Sequence, residues 1–207
     1  MTATTSDLRP ASRFDHRSNS YSAIAIAFHW LLALMIACSF CVGLYMTDLS
    51  MSPLRLKLFN WHKWAGITIL ALSALRLLWR LTHRPPADVP MAAWQQRAAH
   101  VIHYALYLLF FLVPLAGWAY SSAVGFPIVV FGLIPLPDFV PVDEGLAEVL
   151  KSSHHLLAFT LALIVLGHIA AALKHQFIDR DGLLRRMWPS RPGSAATASS
   201  STSAPIA

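Results

Sequence analysis

The chain has 207 residues, of which 56% are hydrophobic and only 13% are charged, and its mean hydropathy is +0.53. A soluble domain is usually about a quarter charged, so the composition excludes an ordinary soluble protein and indicates a membrane protein. The formal net charge is +6. Membrane topology accounts for such a surplus of positive residues, so nucleic-acid binding is not predicted.

Four apolar stretches predict the fold. They cover residues 23–46, 62–81, 101–123 and 152–173, and each is close to the ~20 residues that a membrane-spanning helix needs. The alternating pattern of barrel strands is absent from the sequence. We therefore predict an all-α integral membrane four-helix bundle over residues 21–189. A polar segment (1–20) precedes it, and a Ser/Ala/Thr-rich tail (190–207), predicted to be disordered, follows.

Start and stop signals place the helices along the chain. The first apolar run is too long for a signal-peptide core, so a retained helix is predicted there. The second helix is predicted to begin near Asn60 and the third near Arg97, while the fourth covers 151–177. Glycines and prolines interrupt the apolar segment after Tyr120, which is therefore predicted to lie over the mouth of the bundle rather than to span.

The positive residues predict the orientation. We place both termini and the loop between the second and third helices on one side of the membrane. The opposite side then has four of the 16 Lys and Arg residues: Arg55, Lys57, Lys63 and Lys151. The other twelve lie with the termini. Because positive residues collect on the cytoplasmic side of a membrane, both termini are predicted to be cytoplasmic.

Histidines inside apolar helices are the main functional signal. His154 and His168 are fourteen residues apart, which places both rings within about 40° of each other on one helix face and ~21 Å apart along it. The neighbouring His155 faces elsewhere. On the predicted topology His62 and His154 share the outer rim, and His29 and His168 share a depth near the inner face.

Two sites with a pair of imidazoles each therefore follow, His29 with His168 and His62 with His154. A haem b held by one histidine from each of two helices fits this arrangement. Isolated buried histidines are often only hydrogen-bonded core residues, but four at matched depths favour a cofactor. Zinc or di-iron would need inward carboxylates that these helices lack. A proton relay in a small channel or transporter remains the alternative without haem.

The cysteines bear on how haem would be held. Cys38 and Cys41 lie within the first apolar stretch and are predicted to be packing residues. The C-x-x-C-H sequence that attaches haem covalently is missing. The predicted haems are therefore non-covalent.

Two further histidines and two arginines belong to the inner half. His175 follows His168 by seven residues, on nearly the same face, and either hydrogen-bonds a quinone or is hydrated at the headgroups. His103 is a candidate for a spare haem ligand, for a residue that supports a ligand, or for a residue on the quinone side. Arg76 and Arg80 either pair with haem carboxylates or extend to lipid phosphates.

The order of motifs resembles the bacterial cytochrome b561 family. The motifs are FHWL, NWHKWAGITIL, LRLLWRLTHRPP, AHVIHYALYLLFFLVPLAGW and LGHIAAALKHQFIDRDGLLRRM, and the resemblance covers residues 21–189. It implies a multi-pass inner-membrane protein with two b haems on His29, His62, His154 and His168. It also implies a quinone site at the position of His175.

The resemblance further implies a reaction. One type within the family oxidises superoxide at the periplasmic haem and reduces ubiquinone at the cytoplasmic side, which makes a superoxide:quinone oxidoreductase the leading expectation. Superoxide gives up its electron without acid–base help, so no catalytic residue is predicted. Lys63 and Lys151 favour an anionic donor, while four acidic residues before the fourth helix oppose it. The alternative is a haem b subunit that exchanges electrons with a partner dehydrogenase or hydrogenase.

Overall fold

The computed structural model describes residues 20–188. The predicted tail (190–207) and all but the last residue of the predicted polar segment (1–20) lie outside this part. Four long helices dominate the described chain: α1 (Ala23–Asp48), α2 (Pro53–Thr82), α3 (Ala93–Ala123) and α4 (Glu144–Lys174). By length and composition four helices, the last counted to Asp179, can cross a membrane, as predicted.

Three helices begin earlier than the sequence indicates, and for α2 and α4, where the difference is largest, the caps explain why. Ser52 Oγ accepts the N–H of Arg55, and Pro53 occupies the first helical position, where its missing N–H costs nothing. The Asp143 carboxylate accepts the N–H of Leu146 at 2.7 Å and starts α4 at Glu144. As a result, His62 and His154 lie about 14 Å from the starts of their helices.

A short hairpin and two turns complete the described chain. Between α3 and α4, strands β1 (Val129–Val130) and β2 (Ile134–Pro135) pair antiparallel. Trp64 of α2 donates its indole N–H to the Val129 carbonyl at 2.7 Å, so the hairpin is fastened to the bundle. After α4 come a π-helical turn (His175–Asp179) and a 3-10 turn (Leu183–Met187).

The helices pack unevenly. α1 lies against α2, α2 against α3, and α3 against α4, whereas the backbones of α1 and α4 barely approach each other. The buried apolar cluster is formed by α3 and α4 and contains Leu106, Leu109, Phe110 and Leu161. The helices enclose a mostly apolar cavity of about 1770 Å³. Exposed large apolar side chains cover much of the outer helix surface, as expected where lipid replaces water.

Candidate functional site

The four predicted ligand histidines line this one cavity. His62 and His154 face each other between α2 and α4, with ring centroids 6.0 Å apart and ring planes at 88°. His29 and His168 face each other between α1 and α4, at 6.3 Å and 66°. We call them the outer pair and the inner pair after the predicted orientation. The structure thus brings together the partners that helix depth alone predicted.

Backbone carbonyls hold both rings of the outer pair. His62 Nδ1 donates to the Ser39 carbonyl at 3.1 Å, with Ser39 Oγ at 3.2 Å, and His154 Nδ1 donates to the Val113 carbonyl at 2.9 Å. A carbonyl can only accept, so in each neutral ring the proton is on Nδ1 and the lone pair is on Nε2. This orientation and tautomer are those of a metal-binding histidine.

Two glycines make room for the outer rings. A Cβ on Gly43 of α1 would lie 3.2 Å from Cε1 of His62, and a Cβ on Gly117 of α3 would lie 3.0 Å from Cε1 of His154. Ordinary carbon contacts are about 3.5 Å or longer, so any side chain here would push the imidazole away. The absence of a side chain at Gly43 and Gly117 therefore leaves the space that the two histidine rings occupy.

The inner pair is surrounded differently. His29 Nδ1 accepts a hydrogen bond from Arg76 Nη2 at 3.3 Å. His103, on α3, is a third imidazole, and its centroid lies 5.6 Å from that of His168. The inner site therefore contains three histidines and a half-buried cation, whereas the outer site contains two histidines and backbone carbonyls.

The geometry suits a metal held between two imidazoles. Metal–nitrogen distances of about 2.0 Å on opposite sides of one ion put ring centroids about 6 Å apart, as both pairs are. Two buried N–H groups lining the same cavity, Arg55 Nε and Trp118 Nε1, have no hydrogen-bond partner within residues 20–188. Unpaired buried donors are costly, and the carboxylates of haem would satisfy them. The residues present therefore fit haem b.

His175 is in a separate environment from the other candidates. It does not line the cavity; its Nδ1 lies 2.6 Å from Asp181 Oδ2 and 3.2 Å from Asp179 Oδ2. Burial raises the pKa of Asp181, but the N–H of Leu183 and the His175 ring outweigh it, so the pKa is lowered overall. The predicted quinone role of His175 would thus involve a histidine already held by carboxylates.

The outer end of the cavity carries the positive residues that the sequence singled out. Lys63 Nζ donates to Ser121 Oγ and to the Phe126 carbonyl, each at 3.1 Å. Lys151 forms an ion pair with Glu148 at 3.4 Å. Arg55, Lys63 and Lys151 all line the cavity.

Several supporting groups escaped the sequence reasoning. The carbonyls of Ser39 and Val113 are backbone groups that every residue has, so the sequence does not single them out. Trp118 resembles any other aromatic residue at a membrane interface. Gly43 and Gly117 did offer a signal. A glycine in a helix interior costs about 1 kcal/mol, so each called for a packing reason.

Comparison with known proteins shows the family of the chain. The family model described as prokaryotic cytochrome b561 matches residues 20–190. Cytochrome b561 homolog 2 of Escherichia coli K12 is 36% identical over 176 residues, covering 84% of this chain and 94% of that protein. A Yersinia pestis protein named probable superoxide oxidase CybB is 33% identical over 185 residues, covering 84% and 98%.

A second Escherichia coli K12 relative, cytochrome b561 homolog 1, is 30% identical over 178 residues, covering 84% of this chain and 99% of that protein. These relatives match over nearly their whole length, so the likeness extends through all four helices. Members of this family bind haem b and transfer electrons within the membrane. The chain belongs to the prokaryotic cytochrome b561 family and is a multi-pass protein of the bacterial inner membrane.

Proposed function

We propose that the protein is a di-haem b oxidoreductase that passes electrons from superoxide at the periplasmic face to ubiquinone near the cytoplasmic face. The observation that carries the proposal is the two facing histidine pairs, at 6.0 and 6.3 Å, in one cavity. In this assignment His62 and His154 ligate the outer haem, and His29 and His168 ligate the inner haem. Both termini are then cytoplasmic.

When bound, the haems would supply one-electron transfer, and the chain's own residues set where each substrate can approach. On the outer side, the ammonium group of Lys63 lies one residue from His62, and Arg55 lies on the same helix. Their charges favour an anion over a neutral donor. The name of the Yersinia pestis relative supports superoxide as that anion.

On the inner side, quinone reduction takes up two protons. His175 lies seven residues beyond His168, at the start of the π-helical turn that follows α4, and about 10 Å nearer the cytoplasmic end. Asp181 holds its Nδ1, which fixes the ring and leaves Nε2 as the nitrogen for a quinone oxygen. His103 lines the cavity beside His168 and is the second candidate for the quinone side.

Two measurements on the purified protein test the proposal. A pyridine haemochrome assay is expected to give two b haems per chain. In a stopped-flow experiment, superoxide should reduce the haems and a soluble ubiquinone should then oxidise them, with quinol as product. Fully loaded protein that forms no quinol would refute this reaction. Haem reduction only through a co-purifying dehydrogenase or hydrogenase would favour the subunit alternative, and colourless protein would favour a proton channel.

A further inference from the structure

Two arginines of α2 lie together in the inner half of the bundle. Arg76 and Arg80 are one helical turn apart, and both line the cavity. Their guanidinium carbons lie 5.5 and 5.7 Å from the centre of the Tyr107 ring on α3. Both positive charges therefore lie next to the same tyrosine ring. Arg76 is about 9 Å from the C-terminal end of its helix.

No carboxylate neutralises these charges within the described residues. Three acidic residues of the described part of the chain lie at this end, and they are engaged elsewhere: Asp88 with Gln96 and His100, Asp179 with Lys174, and Asp181 with His175. Neither arginine forms an ion pair with a carboxylate in residues 20–188. Arg76 is half-buried and Arg80 is exposed. The face of an aromatic ring offsets only part of the cost of moving the Arg76 guanidinium away from water. The site therefore calls for an anion.

The position of Arg76 indicates which anion. Its Nη2 lies 3.3 Å from His29 Nδ1. If His29 used its Nε2 as a ligand, the ring proton would lie on Nδ1, and this nitrogen would no longer accept from Arg76. Binding at His29 would thus release a guanidinium beside the bound group, and that guanidinium would need a new acceptor at once.

We infer that Arg76 and Arg80, positioned by Tyr107, bind the carboxylates of the haem held by His29 and His168. The inference rests on the proposed function, since it requires haem at the inner pair. Arginine suits the task because its planar fork pairs with carboxylate through two hydrogen bonds and stays charged. A lipid phosphate offers the same anionic oxygens. The haem is favoured because Arg76 touches a proposed haem ligand and lines the ligand cavity.

The test uses holoprotein purified in lipid nanodiscs, with redox titration of both haems and measurement of haem per chain. Removing a positive charge beside a haem stabilises its oxidised state. In Arg76→Gln we expect the ratio of reduced to oxidised inner haem, at the wild-type midpoint, to fall about tenfold, with the outer haem unchanged. Arg80→Gln should give a smaller fall. Arg76→Lys, which keeps the charge but not the fork, should lie between wild type and Arg76→Gln.

Arg84→Gln is the matched control, because Arg84 is exposed just beyond the end of α2 and does not line the cavity. It should leave both haem potentials at wild-type values. Selective loss of the inner haem from Arg76→Gln would also support the inference. Wild-type potentials for both haems in Arg76→Gln and Arg80→Gln would overturn it and assign the arginines to lipid phosphate. A wild-type protein without an inner haem would instead refute the proposed function.

Discussion

The two histidine pairs lie in one cavity and share α4, yet the chain holds them in different ways. The outer rings are fixed by uncharged groups: the Ser39 and Val113 carbonyls on one nitrogen, and glycines against the ring edge. The inner pair meets Arg76 and a third imidazole, His103, and residues 20–188 show no hydrogen bond from a histidine of this pair to a backbone carbonyl.

This difference separates two ways of preparing a ligand. At the outer pair the tautomer and orientation are set before any metal arrives, so binding costs little reorganisation. At the inner pair a proton must change nitrogen on His29 if Nε2 is to ligate, and the half-buried guanidinium of Arg76 must find a new partner. The outer site should therefore be the more rigid and the inner site the more responsive to charge.

The largest expected effect comes from removing the ligands themselves. His62→Ala or His154→Ala should lower the haem content from two per chain to one by loss of the outer haem. His29→Ala or His168→Ala should lose the inner haem instead, because each of these residues supplies one of the two proposed inner ligands. Difference spectra and pyridine haemochrome assays measure both outcomes.

His155→Ala is the matched control, since its ring belongs to neither pair, and it should keep two haems. The third inner imidazole tests the assignment directly. Should His103→Ala lose the inner haem while His29→Ala keeps it, His103 and not His29 would be the ligand, and the comparison between the pairs would have to be redrawn.

The second prediction concerns the glycines that frame the outer pair. Gly117→Ala places a methyl group 3.0 Å from His154 Cε1, and such overpacking costs about 1–3 kcal/mol. We expect at least about tenfold weaker retention of the outer haem, and a smaller loss for Gly43→Ala, where the distance is 3.2 Å. Haem release during dialysis against apomyoglobin measures this.

Gly167→Ala serves as the control because its Cβ would meet nothing within 4 Å, so the substitution should leave both haems in place. If Gly117→Ala retained the outer haem as well as Gly167→Ala does, the ring would not be sterically framed, and the outer site would be as adaptable as the inner one.

Much of this arrangement could be read from the sequence, for a physical reason. Histidine is costly in an apolar helix, so each one needs a reason. Because a helix rises by a known distance per residue, the depth of each histidine along its helix predicted both pairs. What depth does not encode is lateral contact. The sequence left open whether His175 contacts a quinone or is hydrated, and the structure shows that this residue does not line the cavity. The ring of His103 lies nearer to the ring of His168 than the ring of the predicted partner His29 does.

The helix ends were a second gap. Caps at Ser52 and Asp143 extend α2 and α4 by about a turn and a half to two turns, and hydropathy does not register this because the added turns carry charged residues among the apolar ones. These turns place the outer pair farther from the starts of its helices than predicted. The hairpin was likewise foreseen only as a covering segment, since the donation from Trp64 to Val129 is a contact between distant parts of the chain.

The third prediction tests how the inner end is closed. The 3-10 turn after α4 lies across it: Trp30 donates to the Met187 carbonyl at 2.8 Å, and the buried Arg186 donates to the Ala87 carbonyl at 2.7 Å. Arg186→Met removes a buried charged donor, which costs about 1–3 kcal/mol of folding free energy. We expect lower thermal stability and faster loss of the inner haem than of the outer haem.

Arg185→Met, one residue away and exposed, removes the same charge and should leave both properties unchanged. Equal loss of the two haems from Arg186→Met would mean that the turn stabilises the bundle as a whole and does not act on the inner pair.

The smallest expected effect is a pH dependence confined to the inner end. The pKa of Asp181 is lowered, because the Leu183 N–H and the His175 ring favour the carboxylate more strongly than burial disfavours it. A lowered folded-state pKa gives stability that is present above the ordinary value of 3.8 and is lost as the pH falls through the folded-state pKa. Asp181→Asn should therefore lower the melting temperature slightly at pH 7, and the difference from wild type should shrink below about pH 4.

Asp48→Asn removes the same charge at the far end of the bundle and is the control for net charge. Because the outer rings are held by carbonyls that do not titrate, the outer haem spectrum of Asp181→Asn should match wild type at every pH at which the bundle is folded. A melting difference between Asp181→Asn and wild type that stayed constant from pH 7 to pH 3 would show that the carboxylate charge is not what holds the turn after α4. The inner end would then be fastened by neutral contacts, as the outer pair is, and the electrostatic contrast between the two ends would rest on Arg76 and Arg80 alone.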